Sequence, residues 1–247
     1  MDVLVVGAGE MGRWFASAVT SDVAFADTDP ARAAAAADAV GRRGRAVALD
    51  DEESFGVVCV AVPMRVAGEV IEAHASKAQQ AVVDVTGSMR GPLEAMARVA
   101  PARERVSFHP LFAADAAPGT IAVSTAASGP ATDGLCRDLE AGGNDLVPVD
   151  PGTHDEAMRT VQGRTHAAII AFALAVADAS EEVPDALSTP VYEQLSALTE
   201  RVLDGTPRVY ADIQATFDGA EDVAAAAERL ASANPDEFAS LYDDVGR

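Results

Sequence analysis

Asp2-Val3-Leu4-Val5-Val6-Gly7-Ala8-Gly9-Glu10-Met11-Gly12 lies near the start of the 247-residue chain. The unbroken aliphatic run reads as a strand buried on both faces, as strands of parallel sheets are. Met11–Thr20 reads as a helix, so the G-x-G-x-x-G glycines occupy a strand-to-helix turn. In that context each glycine has a purpose. Gly7 permits the tight turn, Gly9 lets a pyrophosphate approach the backbone, and Gly12 lets helix and strand pack closely. The helix N-terminus offers its unsatisfied N–H groups to the phosphates. Gly7, Gly9, Glu10, Met11 and Gly12 are therefore expected to line a dinucleotide site. Asp27 follows the second apolar run, Val23–Ala26. A carboxylate there accepts from ribose hydroxyls and repels a 2′-phosphate, which favours NAD over NADP. Asp29 is the alternative ribose ligand.

Outward from this turn, short apolar runs alternate with helical stretches. Arg45–Leu49, Val57–Val62, Ala81–Val85, Val106–Phe108, Ile121–Ser124 and Leu146–Val149 read as strands, and Pro30–Val40 and Arg65–Ser76 as helices. Such alternation predicts an α/β fold, a Rossmann-like domain with a mostly parallel sheet over residues 1–150. Beyond Asp150 no strand is expected. Thr153 and Glu156 have the spacing of a capping box, and a long apolar helix should follow to Ala179. Thr189-Pro190, Thr206-Pro207 and Asn234-Pro235 each place a cap residue before a proline, opening three further helices. Residues 151–247 are thus read as an all-helical substrate and dimerisation domain. Its helices are too apolar to bury their faces alone, and a homodimer is expected. No span remains for a chorismate mutase module before this pair of domains or a regulatory domain after it, which implies a monofunctional protein.

The formal charge is −21, with one lysine, Lys77, against seventeen arginines. Such a field repels nucleic acid and anionic membranes. The acidic residues are spread along the chain, which fits a high-salt cytoplasm where screening relieves self-repulsion. The start lacks a signal-peptide pattern, and no apolar run reaches the ~20 residues of a membrane helix. Cys59 and Cys136 are too few for a disulfide framework, and no metal-ligand cluster occurs. A soluble cytoplasmic protein without a metal is expected.

Other residues suggest chemistry. His109 lies just past a strand, in Ser107-Phe108-His109-Pro110, where it could bond a substrate hydroxyl or simply cap a turn. Ser88 follows another strand and can reach the same crevice. Met158, Gln162 and His166 are four apart and should share a helix face. Arg201 lies near a helix end, where it could pair with carbonyls.

Taken together, these segments resemble prephenate dehydrogenases over nearly the whole chain. The resemblance runs from Met11-Gly12-Arg13 through Gly87-Ser88-Met89-Arg90-Gly91-Pro92 and Phe108-His109-Pro110-Leu111-Phe112 to Asp115. It continues in His154-Asp155 with Met158, Gln162 and His166, then in Pro190-Val191-Tyr192 and from Arg201 to Tyr210-Ala211-Asp212. It implies that His109 is the catalytic histidine and that Ser88 supports it. It implies that Arg201 holds a substrate carboxylate, that His166 and Gln162 line the pocket, and that Asp115 and Tyr210 occupy substrate-site positions. Arg90 departs from the family's frequent lysine, and Tyr210 from the tryptophan of some members. The implied reaction is NAD-dependent oxidative decarboxylation of prephenate to 4-hydroxyphenylpyruvate in tyrosine biosynthesis. Arogenate dehydrogenation, another NAD(P)-linked reductase of the 6-phosphogluconate-dehydrogenase-like class, or a non-catalytic dinucleotide sensor are the alternatives.

Overall fold

The computed structural model describes residues 1–178 and 184–246. They form two compact units, Met1–Glu156 and Ala157–Arg247.

The first unit carries β1 (Asp2–Val6), β2 (Asp22–Ala26), β3 (Gly44–Ala46), β4 (Phe55–Val60), β5 (Ala78–Asp84), β6 (Glu104–Pro110), β7 (Thr120–Ala127) and β8 (Asp145–Pro148). They form one sheet in the order β3-β2-β1-β4-β5-β6-β7-β8. Every neighbouring pair is parallel except β6 with β7. The strand order reverses beside β1, which pairs Val5 with Phe25 of β2 on one side and with Cys59 of β4 on the other. A crevice opens at the carboxyl ends of strands at such a point.

Successive β1 residues feed opposite faces, as strand geometry requires. Val3 and Val5 join one core with Trp14 and Phe15 of α1 (Glu10–Ala18), Ala33 of α2 (Pro30–Val40) and Leu135 of α5 (Pro130–Ala141). Leu4 and Val6 join the other with Ile71 of α3 (Met64–His74) and Met96 of α4 (Arg90–Val99). The helices α4 and α5 were not read from the sequence. Gly91 and Pro92 interrupt the first, and Pro130 and Gly134 the second. A proline in a first helical turn breaks no hydrogen bond, so these residues do not stop either helix.

A helix opens at Pro151 and crosses the division between the units. It comprises α6 (Pro151–Met158), a π-helical stretch Arg159–Arg164, and α7 (Thr165–Ala177). Its cap lies three residues before the expected capping box. Asp150, not Thr153, is the cap: its Oδ1 accepts from the Thr153 amide at 2.9 Å. The expected end at Ala179 lies outside the described residues. By length and composition this 27-residue stretch would suffice to cross a bilayer, and so exceeds any apolar run read from the sequence.

The second unit continues with α8 (Pro190–Leu203), α9 (Pro207–Phe217), α10 (Gly219–Ser232) and α11 (Pro235–Val245). Thr189 and Asn234 cap α8 and α11 as expected, the hydroxyl of Thr189 accepting from Tyr192 N and the amide oxygen of Asn234 from Asp236 N and Glu237 N. The helix opened by Thr206-Pro207 ends at Asp218, whose φ of 49° breaks the chain into α9 and α10. Aspartate is among the few side chains that tolerate this left-handed conformation.

Candidate active site

The glycine turn has the shape its sequence predicts. Gly7 has a φ of +105°, and a Cβ there would strike the Ala61 carbonyl just past β4. A Cβ on Gly12 would strike the carbonyl of Gly7, whereas one on Gly9 would meet nothing within 4 Å. The open position is therefore the one that a pyrophosphate would approach. Gly9 caps α1 without any side chain, so the first-turn N–H groups remain available to an anion. Glu10 is exposed and Met11 half-buried on this first turn. Asp27 closes the turn from β2. Its Oδ2 accepts from Ala8 N at 2.8 Å and its Oδ1 from Asp29 N at 2.9 Å. Asp29 caps α2 through Ala31 N at 3.0 Å, which leaves Asp27 as the carboxylate fixed to the glycine turn. These residues fit a dinucleotide.

Further along the sheet, β6 delivers His109, which is only 6% exposed. Its Nδ1 lies 2.8 Å from His154 Nε2. His154 Nδ1 lies 2.8 Å from Asp155 Oδ1. The same Asp155 carboxylate accepts from Met89 N at 2.9 Å and Arg90 N at 3.1 Å, and so caps α4. Burial raises the Asp155 carboxyl, but the bonds from His154, Met89 and Arg90 outweigh it and hold the group below its ordinary range. An ionised carboxylate only accepts. His154 must therefore place a proton on Nδ1, and in its neutral form it turns the Nε2 lone pair toward His109. His109 in turn donates from Nδ1, and its Nε2 is the acceptor. Burial, then the neighbouring His154, pushes His109 down to about 3, against the pull of Asp155. The ring is thus neutral at physiological pH. Nε2 faces the backbone of Gly87, where a Cβ would stand 3.6 Å from it and 2.7 Å from the Met64 sulfur. A side chain at this position would first press on the Met64 sulfur.

The turn that carries Gly87 and Ser88 begins at Asp84, the last residue of β5 and paired in register with Ser107 of β6. Thr86 donates to Asp84 Oδ2 from its amide at 3.0 Å and approaches it with its hydroxyl at 2.5 Å. Ser88 is buried at this turn. Complete burial pushes Asp84 up to about 7, with Thr86 and the Ser107 hydroxyl opposing and the Asp155 charge adding to the rise. Asp115 is exposed in a short 3-10 turn, Ala114–Ala116, of the loop after His109. That loop is anchored by Phe112, packed edge-on against Trp14 with centroids 5.3 Å apart.

The remaining expected residues lie in the second unit. Gln162 sits in the π-helical stretch and His166 just beyond it in α7. The i→i+5 turn breaks the simple four-residue register expected for Met158, Gln162 and His166. Gln214 of α9 supports the stretch by donating to the Gly163 carbonyl at 2.8 Å. His166 meets Tyr210 edge-to-face, with centroids 5.0 Å apart, and burial lowers its pKa. Tyr210 also lines an apolar cavity of about 320 Å³ with Ile170, Val202, Leu203 and Gln214. Arg201 is exposed in the last turn of α8.

In the sequence, His154-Asp155 reads as part of a helix start and of the family resemblance, and Asp84 lies within the strand run Ala81–Val85. The adjacent histidine and aspartate were the available signal, but their target, His109, is 45 residues away.

No protein-family model matches the chain. It is 33% identical over 231 residues to 4-amino-4-deoxyprephenate dehydrogenase of Streptomyces pristinaespiralis, covering 88% of this chain and 78% of that one. It is 25% identical over 185 residues to a probable arogenate/prephenate dehydrogenase of Methanocaldococcus jannaschii, covering 64% of this chain and 38% of that one. Its fold resembles that of Aquifex aeolicus prephenate dehydrogenase, solved with hydroxyphenyl propionate and NAD+. The TM-score is 0.71 at 15% identity, over 100% of this chain and 96% of that one.

Proposed function

The chain belongs to the prephenate/arogenate dehydrogenase family, and on that premise we propose that it oxidises and decarboxylates prephenate to 4-hydroxyphenylpyruvate with NAD. The observation that carries this reading is the His109–His154–Asp155 chain, which fixes an acceptor nitrogen beside the glycine of the Ser88 turn.

NAD, held by Gly7, Gly9, Glu10, Met11, Gly12 and Asp27, supplies the hydride acceptor. His109 accepts a hydrogen bond from the ring hydroxyl through Nε2. As the carbinol is oxidised its proton becomes strongly acidic, so even a weakly basic imidazole can take it. Burial keeps that nitrogen unprotonated beforehand. Asp155, acting through His154, favours the imidazolium once it forms. Ser88 supports the hydroxyl from the neighbouring turn. Arg201 holds a substrate carboxylate by a charge-assisted pair. The family resemblance supports substrate-pocket roles for Asp115 and, in the second unit, for His166, Gln162 and Tyr210.

A second reading follows from the 33%-identical relative, whose substrate bears an amino group. An acceptor nitrogen suits an N–H as well as an O–H, so His109 serves either ring substituent. The deciding experiment follows absorbance at 340 nm with NAD and, in turn, prephenate, arogenate and 4-amino-4-deoxyprephenate. The highest kcat/KM is expected with prephenate. A clear preference for the amino compound would select the second reading, and no reduction of NAD with any of the three would overturn both.

A homodimer is part of the reading, as is a cytoplasmic location. In the second unit, Val161, Leu174, Leu198 and Leu203 are exposed. Burying such apolar side chains against a second copy stabilises by about 25 cal/mol per Å².

A further inference from the structure

The chemistry above leaves the buried carboxyl of Asp84 unused. Asp84 has no exposed surface, yet it sits at the mouth of the turn that passes His109. Its Oδ2 is 2.5 Å from the Thr86 hydroxyl, and that hydroxyl is also 3.1 Å from the Ser88 carbonyl. A hydroxyl has a single proton to give. If Asp84 is ionised, it can only accept, and it takes the Thr86 proton. If Asp84 is protonated on Oδ2, it can donate to Thr86 Oγ1, which frees the Thr86 proton for the Ser88 carbonyl. The far end of the turn is fixed independently, by Met89 N on Asp155.

We propose that Asp84 is a positioning residue, which through Thr86 fastens or releases the Gly87–Ser88 turn beside His109 according to whether its carboxyl carries a proton. The effect on rate rests on the assignment of His109 as substrate acceptor; the latch itself does not. The titratable groups around Asp84 are few. Cys59 on β4 is a thiol that burial, and then Asp84 itself, holds well above its usual range, so it stays neutral. Asp155 on α6 is ionised and disfavours a second charge. The hydroxyl of Ser107, opposite on β6, does not titrate but, like Thr86, lowers Asp84. Burial and Asp155 together bring Asp84 to about 7, so both states of the latch are populated near neutrality.

The test uses full-length protein labelled with ¹³C and ¹⁵N and titrated across neutrality by NMR. The Asp84 carboxyl carbon and the amides of Gly87 and Ser88 should shift with one common midpoint near 7. Thr86→Val should keep the carboxyl titration but abolish the response of the amides, and Thr86→Ser should restore it. Asp84→Asn should abolish both. In turnover, kcat should show a step at the same midpoint in the natural protein and Thr86→Ser, and lose it in Thr86→Val and Asp84→Asn. Amides that follow the carboxyl unchanged in Thr86→Val would overturn the latch, as would a carboxyl that titrates in the ordinary aspartate range. If Asp84→Asn does not fold, the Thr86 pair decides alone. Loss of turnover with every substrate, while the NMR response persists, would count against the proposed reaction and not against the latch.

Discussion

His154→Phe should slow turnover by removing the group that sets the polarity of His109. In the native site His109 Nδ1 donates to His154 Nε2 at 2.8 Å, and this bond keeps Nε2 as the acceptor. Phenylalanine preserves a flat ring but offers no acceptor. The productive tautomer would then bury an unsatisfied Nδ1–H, which costs about 1–3 kcal/mol. The alternative tautomer escapes that cost but turns a donor toward the substrate hydroxyl. A bias of 1–3 kcal/mol corresponds to a productive fraction reduced by about 5- to 150-fold, and kcat should fall by that factor. KM should change much less, because the substrate carboxylate is held elsewhere. His154→Gln is the informative partner. Its amide oxygen can accept from His109 while its NH₂ donates to Asp155, so it keeps the polarity and should recover most of the rate. Steady-state kinetics at saturating NAD, with thermal melts to confirm folding, measure the effect. A folded His154→Phe with native kcat, or a glutamine variant no better than phenylalanine, would refute the polarity argument.

Asp84 gives a stability prediction of definite sign. Its folded value, about 7, is raised above the ordinary 3.8, so the folded state keeps a proton that the unfolded chain releases. Its contribution is fully present below 3.8 and is lost as pH rises toward 7. From about pH 5 to about pH 8, the natural protein should lose about 3 kcal/mol relative to Asp84→Asn in urea melts; parallel curves would contradict this. Asp27→Ser should narrow the preference for NAD over NADP, as read from kcat/KM with each, and an unchanged ratio would remove Asp27 from ribose recognition. His109→Ala should lower kcat by ~10²–10⁴, whereas Arg201→Ala should mainly raise KM; the opposite pattern would exchange their roles. The −21 charge should make the melting temperature rise in molar potassium chloride, and a salt-independent melt would exclude a high-salt adaptation.

The sequence by itself determined the features that depend on local chemistry. Gly7, Gly9 and Gly12 at a strand-to-helix turn are legible because each requirement is steric and lies within a few residues. Buried aliphatic runs mark the strands, and Thr189-Pro190 and Asn234-Pro235 mark helix starts, for the same reason. The tertiary structure decided what depends on distant partners. The antiparallel pairing of β6 and β7, the π-helical stretch that Gln214 supports, and the break at Asp218 have no local signature as decisive as a glycine turn. His154 looked like part of a capped helix until the fold brought it to His109, and Asp155 proved to cap α4 while orienting His154. Asp84 is an unremarked residue of a strand run in the sequence. Its high pKa exists only because packing strips it of water and places it near another carboxylate, and desolvation is a property of the folded surroundings, which no short stretch of residues encodes.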